Sequence, residues 1–178
     1  KTTIAAQARL ADIYQKTGEA QKGIAQYEAM LKLEPGNPWI HHNYSVYLCE
    51  TLGRNDQAIA ESRTALRIME FGMGRIALAT ALYAKWADMV AEGQEGADAY
   101  YQEARELRPD LDHVMVYDAS RPTGERLAKA LISKGVSIDA RAEDGTTALL
   151  LAVNLNRDQT VKYLLGLKAN PNIADVNG

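Results

Sequence analysis

The sequence predicts an all-α fold, a solenoid of stacked helix pairs, and three observations lead there. Alanine supplies 28 of the 178 residues, and alanine both favours helix and lets helix axes approach closely. Apolar residues recur at three- and four-residue spacing in short blocks separated by Gly- and Pro-containing breaks, the pattern of short amphipathic helices. The paired pattern itself returns along the chain with a period of roughly 34 residues, and such self-similarity identifies repeat architectures. Helix should make up about two-thirds of the chain, with sheet confined to hairpin tips.

The first pair lies within residues 4–37. Leu10, Ile13 and Tyr14 form one helical stripe, and Ile24, Tyr27 and Leu31 form a second. Thr17-Gly18 ends the first helix, and Pro35-Gly36-Asn37 closes the second. Neither stripe can be buried by two short helices alone, so a neighbour is required. These residues resemble the tetratricopeptide repeat, a 34-residue helix–turn–helix unit, because Leu10, Ala11, Tyr14, Gly23, Tyr27 and Pro35 fall at its spaced positions without a gap. Gly23 stands where the family usually has Ala, at a cost of about 1 kcal/mol in helix propensity, which suits a point where two helices must touch.

A second unit runs over 38–70, with Tyr44, Ser45 and Leu48 on its first helix and Ala58, Ala65 and Ile68 on its second. Its turn, around Leu52-Gly53-Arg54, is one residue longer than that of the first unit. A third unit spans 76–110, with Leu82 and Trp86, then Ala97, Tyr101, Ala104 and Pro109, and an expanded loop at Ala91–Gly96. Residues 1–110 thus form one predicted domain.

Beyond Leu111 the pattern changes. Asp144-Gly145 and Asn177-Gly178 are turn signals 33 residues apart. Thr147-Ala148-Leu149-Leu150-Leu151-Ala152 resembles the T-P-L-H-x-A signature of the ankyrin repeat, with Ala for Pro and Leu for His. Val161, Leu164 and Leu165 fill its second helix, Lys168 replaces a family Gly, and Ala169-Asn170-Pro171-Asn172 starts the next hairpin loop. This full unit covers 144–176. Upstream, 127–145 reads as the second half of an earlier unit whose first half, around His113–Ser120, keeps only Val116 and Ala119 at matching places. We read 111–143 as a degenerate capping repeat joined through Arg121-Pro122-Thr123-Gly124. The chain opens on Lys1 rather than Met and ends in mid-pattern, so it reads as a fragment with further ankyrin repeats expected beyond Gly178.

Charge and motifs exclude several function classes. With 20 Lys+Arg against 23 Asp+Glu, a net charge of −3 and no basic tract, nucleic acid is not the expected partner. No apolar run reaches the roughly 20 residues of a membrane helix, so no membrane insertion is expected. Cys49 is the only cysteine, which excludes an internal disulfide. On one α-helix, His42 and Cys49 would stand roughly 10 Å apart, too far for a nucleophile–base pair. Adjacent His41 and His42 diverge by about 100° on a helix, and no set of three or four zinc ligands is evident. Phosphate loops, nucleophile elbows and H-E-x-x-H are absent. No cofactor, metal or catalytic residue is predicted. Met69, Phe71 and Met73 are read as packing against the third unit, and Trp39 and Trp86 as packing residues.

What remains is a binding surface. The tetratricopeptide resemblance implies that the first helix of each unit lines a groove for a protein or peptide partner. Ala8, Arg9, Asp12 and Lys16 would face it from the first unit. His42, Asn43, Val46 and Glu50 would follow from the second, and Thr80, Ala81 and Ala84 from the third. Asn43 stands where family members hydrogen-bond a ligand backbone, and an amide both donates and accepts. Ala8 and Asp12 occupy two places of the family's carboxylate clamp, which is therefore not reproduced, and this speaks against an acidic C-terminal tail as ligand. The ankyrin resemblance implies partner contacts on hairpin tips and first helices, here Ala140–Gly145 with Arg141 and Asp144, and Asn154–Arg157 with Asn154 and Arg157. The reading is a protein–protein interaction scaffold or adaptor; the alternative is a regulatory or substrate-docking region of a larger multidomain enzyme.

Overall fold

The computed structural model describes residues 4–109, 122–142 and 144–174. The expected half-repeat around Val116 and Ala119, Arg121, and the Asn177-Gly178 turn lie outside the described residues. Of the described residues, 72% are helical and none forms a strand; a lone antiparallel bridge pairs Arg141 with Thr147 at a hairpin tip. The chain is an all-α helical repeat protein. It divides into two compact units, Lys1–Ala81 and Leu82–Gly178.

In the first unit, α1 (Ile4–Thr17) packs on α2 (Ala20–Leu33), and α3 (Pro38–Val46) packs on α4 (Asn55–Ile68). The apolar spacing of the first pair fixes this in outline, but Ala11 of α1 is buried while Ile13 is exposed. Small Ala11 permits the close approach that a branched side chain would prevent. Asn37 starts α3: its Oδ1 accepts the Trp39 backbone N–H at 3.0 Å, and Pro38 takes the first helical position, where no N–H is needed.

Helix ends explain the uneven repeat lengths. Gly18, at φ +75°, closes α1, with Glu19 N–H bonding the Tyr14 carbonyl and Gly18 N–H that of Gln15, a left-handed glycine cap. Gly93, at φ +67°, closes α5 (Gly72–Ala91) in the same way, through Gln94 to Met89 and Gly93 to Val90. Gly53 has the same backbone twist, yet Arg54 N–H reaches one residue further back, to the Leu48 carbonyl. The extra residue of the second unit is thus absorbed in a π-helical turn, Tyr47–Thr51, rather than in a longer loop. Helix α5 starts at Gly72, four residues before the predicted start of the third unit.

Tyrosines join the first two pairs. Tyr27 of α2 stacks on Tyr44 at 5.0 Å between centroids and tilts against Tyr47 at 5.4 Å. Burial pushes the Tyr27 phenol up to about 12. Tyr47 Oη reaches back to donate to the Ala20 carbonyl at 3.2 Å, passing over Gly23. Ser45 and Ser62, both fully buried, pair their hydroxyls at 2.5 Å where α3 meets α4.

The second unit holds the rest of α5, then α6 (Ala97–Leu107), α7 (Pro122–Ser133), α8 (Ala148–Asn154) and α9 (Asp158–Gly166). Trp86 is 1% exposed, tilted on Tyr101 at 4.6 Å and edge-on to Tyr83. Arg126 Nη1 bonds Asp88 at 2.5 Å and Lys134 bonds Asp98 at 2.6 Å, tying α7 and its C-terminal turn to α5 and α6. Pro122 opens α7, so Pro122–Gly124 is the first helical turn rather than a linker. Thr147 caps α8, its Oγ1 accepting the Leu150 N–H at 3.2 Å, and Ala148, Leu149, Ala152, Leu164 and Ala169 form the core beneath.

The turns after α7 and α9 are the same device set 33 residues apart. Val136 N–H bonds the Leu131 carbonyl just as Ala169 N–H bonds that of Leu164. Ser137 and Asn170 then each accept, through a side-chain oxygen, the N–H two residues on. The left-handed position is Gly135 in the first turn, at φ +92°, and Lys168 in the second, at φ +66°. A β-carbon there is strained, because it approaches the following carbonyl oxygen. Lys168→Gly is therefore expected to stabilise the unit by about 1 kcal/mol, read as a higher midpoint in urea unfolding; a lower midpoint would contradict the cap assignment.

Candidate binding groove

The two adjacent histidines of α3 serve different ends. His41 turns toward α4, its Nδ1 2.6 Å from Glu61 Oε2 and its Nε2 2.9 Å from the Pro35 carbonyl, so it binds α4 and the inter-repeat turn to α3. His42 turns the other way. It is 6% exposed, edge-on to Trp39 and Phe71, and among the described residues its Nδ1 has no hydrogen-bond partner. Burial pushes its imidazole below the ordinary histidine value, which favours the neutral ring.

His42 opens onto a groove of about 380 Å³ within the first unit. One wall is His42, Asn43 and Val46 of α3, continued by Cys49 and Glu50 of the π turn. The other is Met73, Ile76, Ala77 and Thr80, one face of α5. Asn43, Glu50, Met73 and Ile76 are exposed, and Cys49 is buried at the floor. The walls offer an apolar trough, an amide and a hydroxyl at its rim, and one formal charge.

Four of the residues expected on this surface, His42, Asn43, Val46 and Glu50, therefore share one groove, with Thr80 opposite. Arg9, Asp12 and Lys16 do not line it; they lie exposed on α1, where Lys16 pairs with Asp12 at 2.9 Å. Ala81 and Ala84 are buried, each nearly without exposure. Met69 and Met73 are 39% and 57% exposed, which corrects their reading as core. Trp39 is 46% exposed, its ring lying on Phe71 at 4.8 Å, so it packs on one side only. For Met73 the reason is the early start of α5, which lifts it onto the helix face that continues through Ile76 and Thr80.

On the ankyrin-like side, Arg141 donates to the Ala174 carbonyl across one 33-residue period, and Asp139 accepts the Asn170 N–H at 2.8 Å. Asp144 accepts the Thr146 N–H at 2.9 Å, which holds its carboxyl below the usual range. Asn154 and Arg157 are exposed. Among the described residues, no group of three or more His, Cys, Asp and Glu side chains is placed to hold a metal ion, and no helix is long and apolar enough to cross a membrane.

Comparison with known proteins finds two repeat families on the chain. The tetratricopeptide repeat family matches residues 4–37, the α1–α2 pair, and the ankyrin repeat family matches 144–176, the α8–α9 pair with its flanking turns. The chain carries tetratricopeptide and ankyrin repeats. A Rickettsia felis protein named for ankyrin repeats is 43% identical over 47 residues, which is 26% of this chain and 18% of that relative. The chain thus spans under a fifth of the length of the curated relative it matches. No solved structure matches it. Both repeat families are generally protein–protein interaction modules and are typically non-catalytic.

Proposed function

We propose that the protein is an interaction scaffold that holds a peptide segment of a protein partner in the groove between α3, its π turn and α5. One observation carries this reading: the exposed apolar residues Met73 and Ile76 face Asn43 and Val46 across a groove of about 380 Å³. Ligand sites commonly fall within about 300–1,000 Å³. The amide of Asn43 suits a peptide backbone, since it donates and accepts together, and the groove is apolar enough to take one or two anchoring side chains. Arg141, Asp144, Asn154 and Arg157 form a second surface of the same scaffold, open to a partner domain.

Random 12-residue peptides displayed on phage and selected on this chain test the reading. Binding energy concentrates in a few desolvated anchors. The double variant Asn43→Ala, Ile76→Ala is therefore expected to weaken a selected peptide tenfold or more in isothermal titration, about 1.4 kcal/mol, with circular dichroism unchanged. The double variant Arg141→Ala, Asn154→Ala should leave that affinity as it was. The reverse pattern would move peptide binding to the ankyrin surface.

A further inference from the structure

His42 bears on what the groove holds. It lines the groove, yet it is only 6% exposed. Its ring meets two aromatic neighbours edge-on, Trp39 at 5.9 Å between centroids and Phe71 at 5.6 Å. Among the described residues its Nδ1 has no hydrogen-bond partner. A buried polar atom left so has lost water without replacement, and a ligand that supplies the bond recovers that loss. Val46, Met73, Ile76 and Ala77, which line the same groove, are apolar. Met73 is 57% exposed, and a methionine sulfur packs favourably against aromatic rings.

From this unpaired nitrogen in an apolar groove we infer that the anchor of the bound segment is a tyrosine, its ring against Val46, Met73 and Ile76 and its hydroxyl bonded to the His42 imidazole. The inference rests on the groove reading above. Other apolar anchors fit less well. Leu, Ile and Phe bury against the walls but leave the imidazole nitrogen unpaired. Tryptophan only donates, so it serves one tautomer of the ring. A phenol donates to a bare ring nitrogen or accepts from a protonated one, so it suits either. Burial of His42 favours its neutral ring, which keeps one bare nitrogen for the phenol proton. The imidazole torsion is broad and roughly two-fold, so a half-turn exchanges the Nδ1 and Cδ2 edges and the phenol need not reach one fixed point. Asn43, exposed at the rim, is left to the segment's backbone.

Titration separates the hydroxyl from the ring that carries it. The phage selection on the unaltered chain should enrich Tyr at the anchor of peptides that Asn43→Ala, Ile76→Ala weakens. A twin peptide with Phe at that anchor should bind about fivefold more weakly, the size of one neutral hydrogen bond. On His42→Phe the Tyr-over-Phe ratio should fall to one or below. On His42→Gln, whose amide both donates and accepts, the ratio should return. A readout on the unaltered chain needs no variant to fold: the Tyr peptide should shift the His42 ring ¹⁵N resonances markedly more than its Phe twin does. Groove-dependent peptides anchored by another residue, a Phe twin that binds as tightly, a ratio unchanged on His42→Phe, or equal ring shifts would overturn the inference and leave the groove reading standing. Peptides indifferent to Asn43→Ala, Ile76→Ala would overturn the groove reading and the inference with it, as would a selection that enriches nothing.

Discussion

Trp86→Ala should cost the second unit about 3–5 kcal/mol, the usual toll of removing a fully buried Trp. The residue is 1% exposed and sits tilted on Tyr101 with Tyr83 at its edge, so its loss empties the centre of an aromatic cluster rather than its margin. Against that, alanine's better helix propensity returns only about half a kcal/mol. Since whole domains are stable by about 5–15 kcal/mol, the variant should unfold at markedly lower urea, with the α5–α9 helices melting first. Fluorescence checks the premise independently. Trp39 is 46% exposed, so Trp39→Ala should leave the blue-shifted emission of buried Trp86 alone. A Trp39→Ala protein that emits at the wavelength of solvated tryptophan would contradict the placement of Trp86.

Gly23→Ala should destabilise the first unit by about 2 kcal/mol, although helix propensity alone predicts a gain of about 1. A β-carbon on Gly23 would lie 2.6 Å from Tyr47 Cζ and closer still to its hydroxyl. Tyr47 is buried, braced by Tyr27 and bonded to the Ala20 carbonyl, so it has little room to withdraw. Overpacking typically costs about 1–3 kcal/mol, and displacing the hydroxyl forfeits a hydrogen bond worth about 1 more. In a Tyr47→Leu background the clash disappears, and Gly23→Ala should become neutral or stabilising. A stabilised single variant would show that the two helices do not touch there.

The sequence spoke most clearly where one residue type has one physical role. Gly18 ends a helix because the left-handed turn strains a β-carbon, whereas the capping of α3 by Asn37 and of α8 by Thr147 is seen in the structure. Gly23 was legible as a contact point, though not that Tyr47, 24 residues on, fills it. The π turn was visible only as an extra residue; a local widening and a longer loop leave the same trace in sequence, and only the Arg54-to-Leu48 hydrogen bond separates them. Of the groove, the α3 wall was what the tetratricopeptide resemblance implied. On the α5 wall Thr80 was expected, while Met73, Ile76 and Ala77 were missed because Gly72 and Gly74 disguise a helix start. Met73 then reads as a linker residue bound for the core, when the helix carries it to solvent.

One measurement bears most directly on the central claim. The ¹⁵N-labelled chain is titrated with a display-selected peptide, and amide shifts are followed residue by residue. The account predicts that the large changes fall on the α3–π turn wall, from His42 to Glu50, and on the facing residues Met73 to Thr80 of α5, while Arg141, Asp144, Asn154 and Arg157 stay still. Changes gathered on those four residues, with the groove amides unmoved, would contradict it.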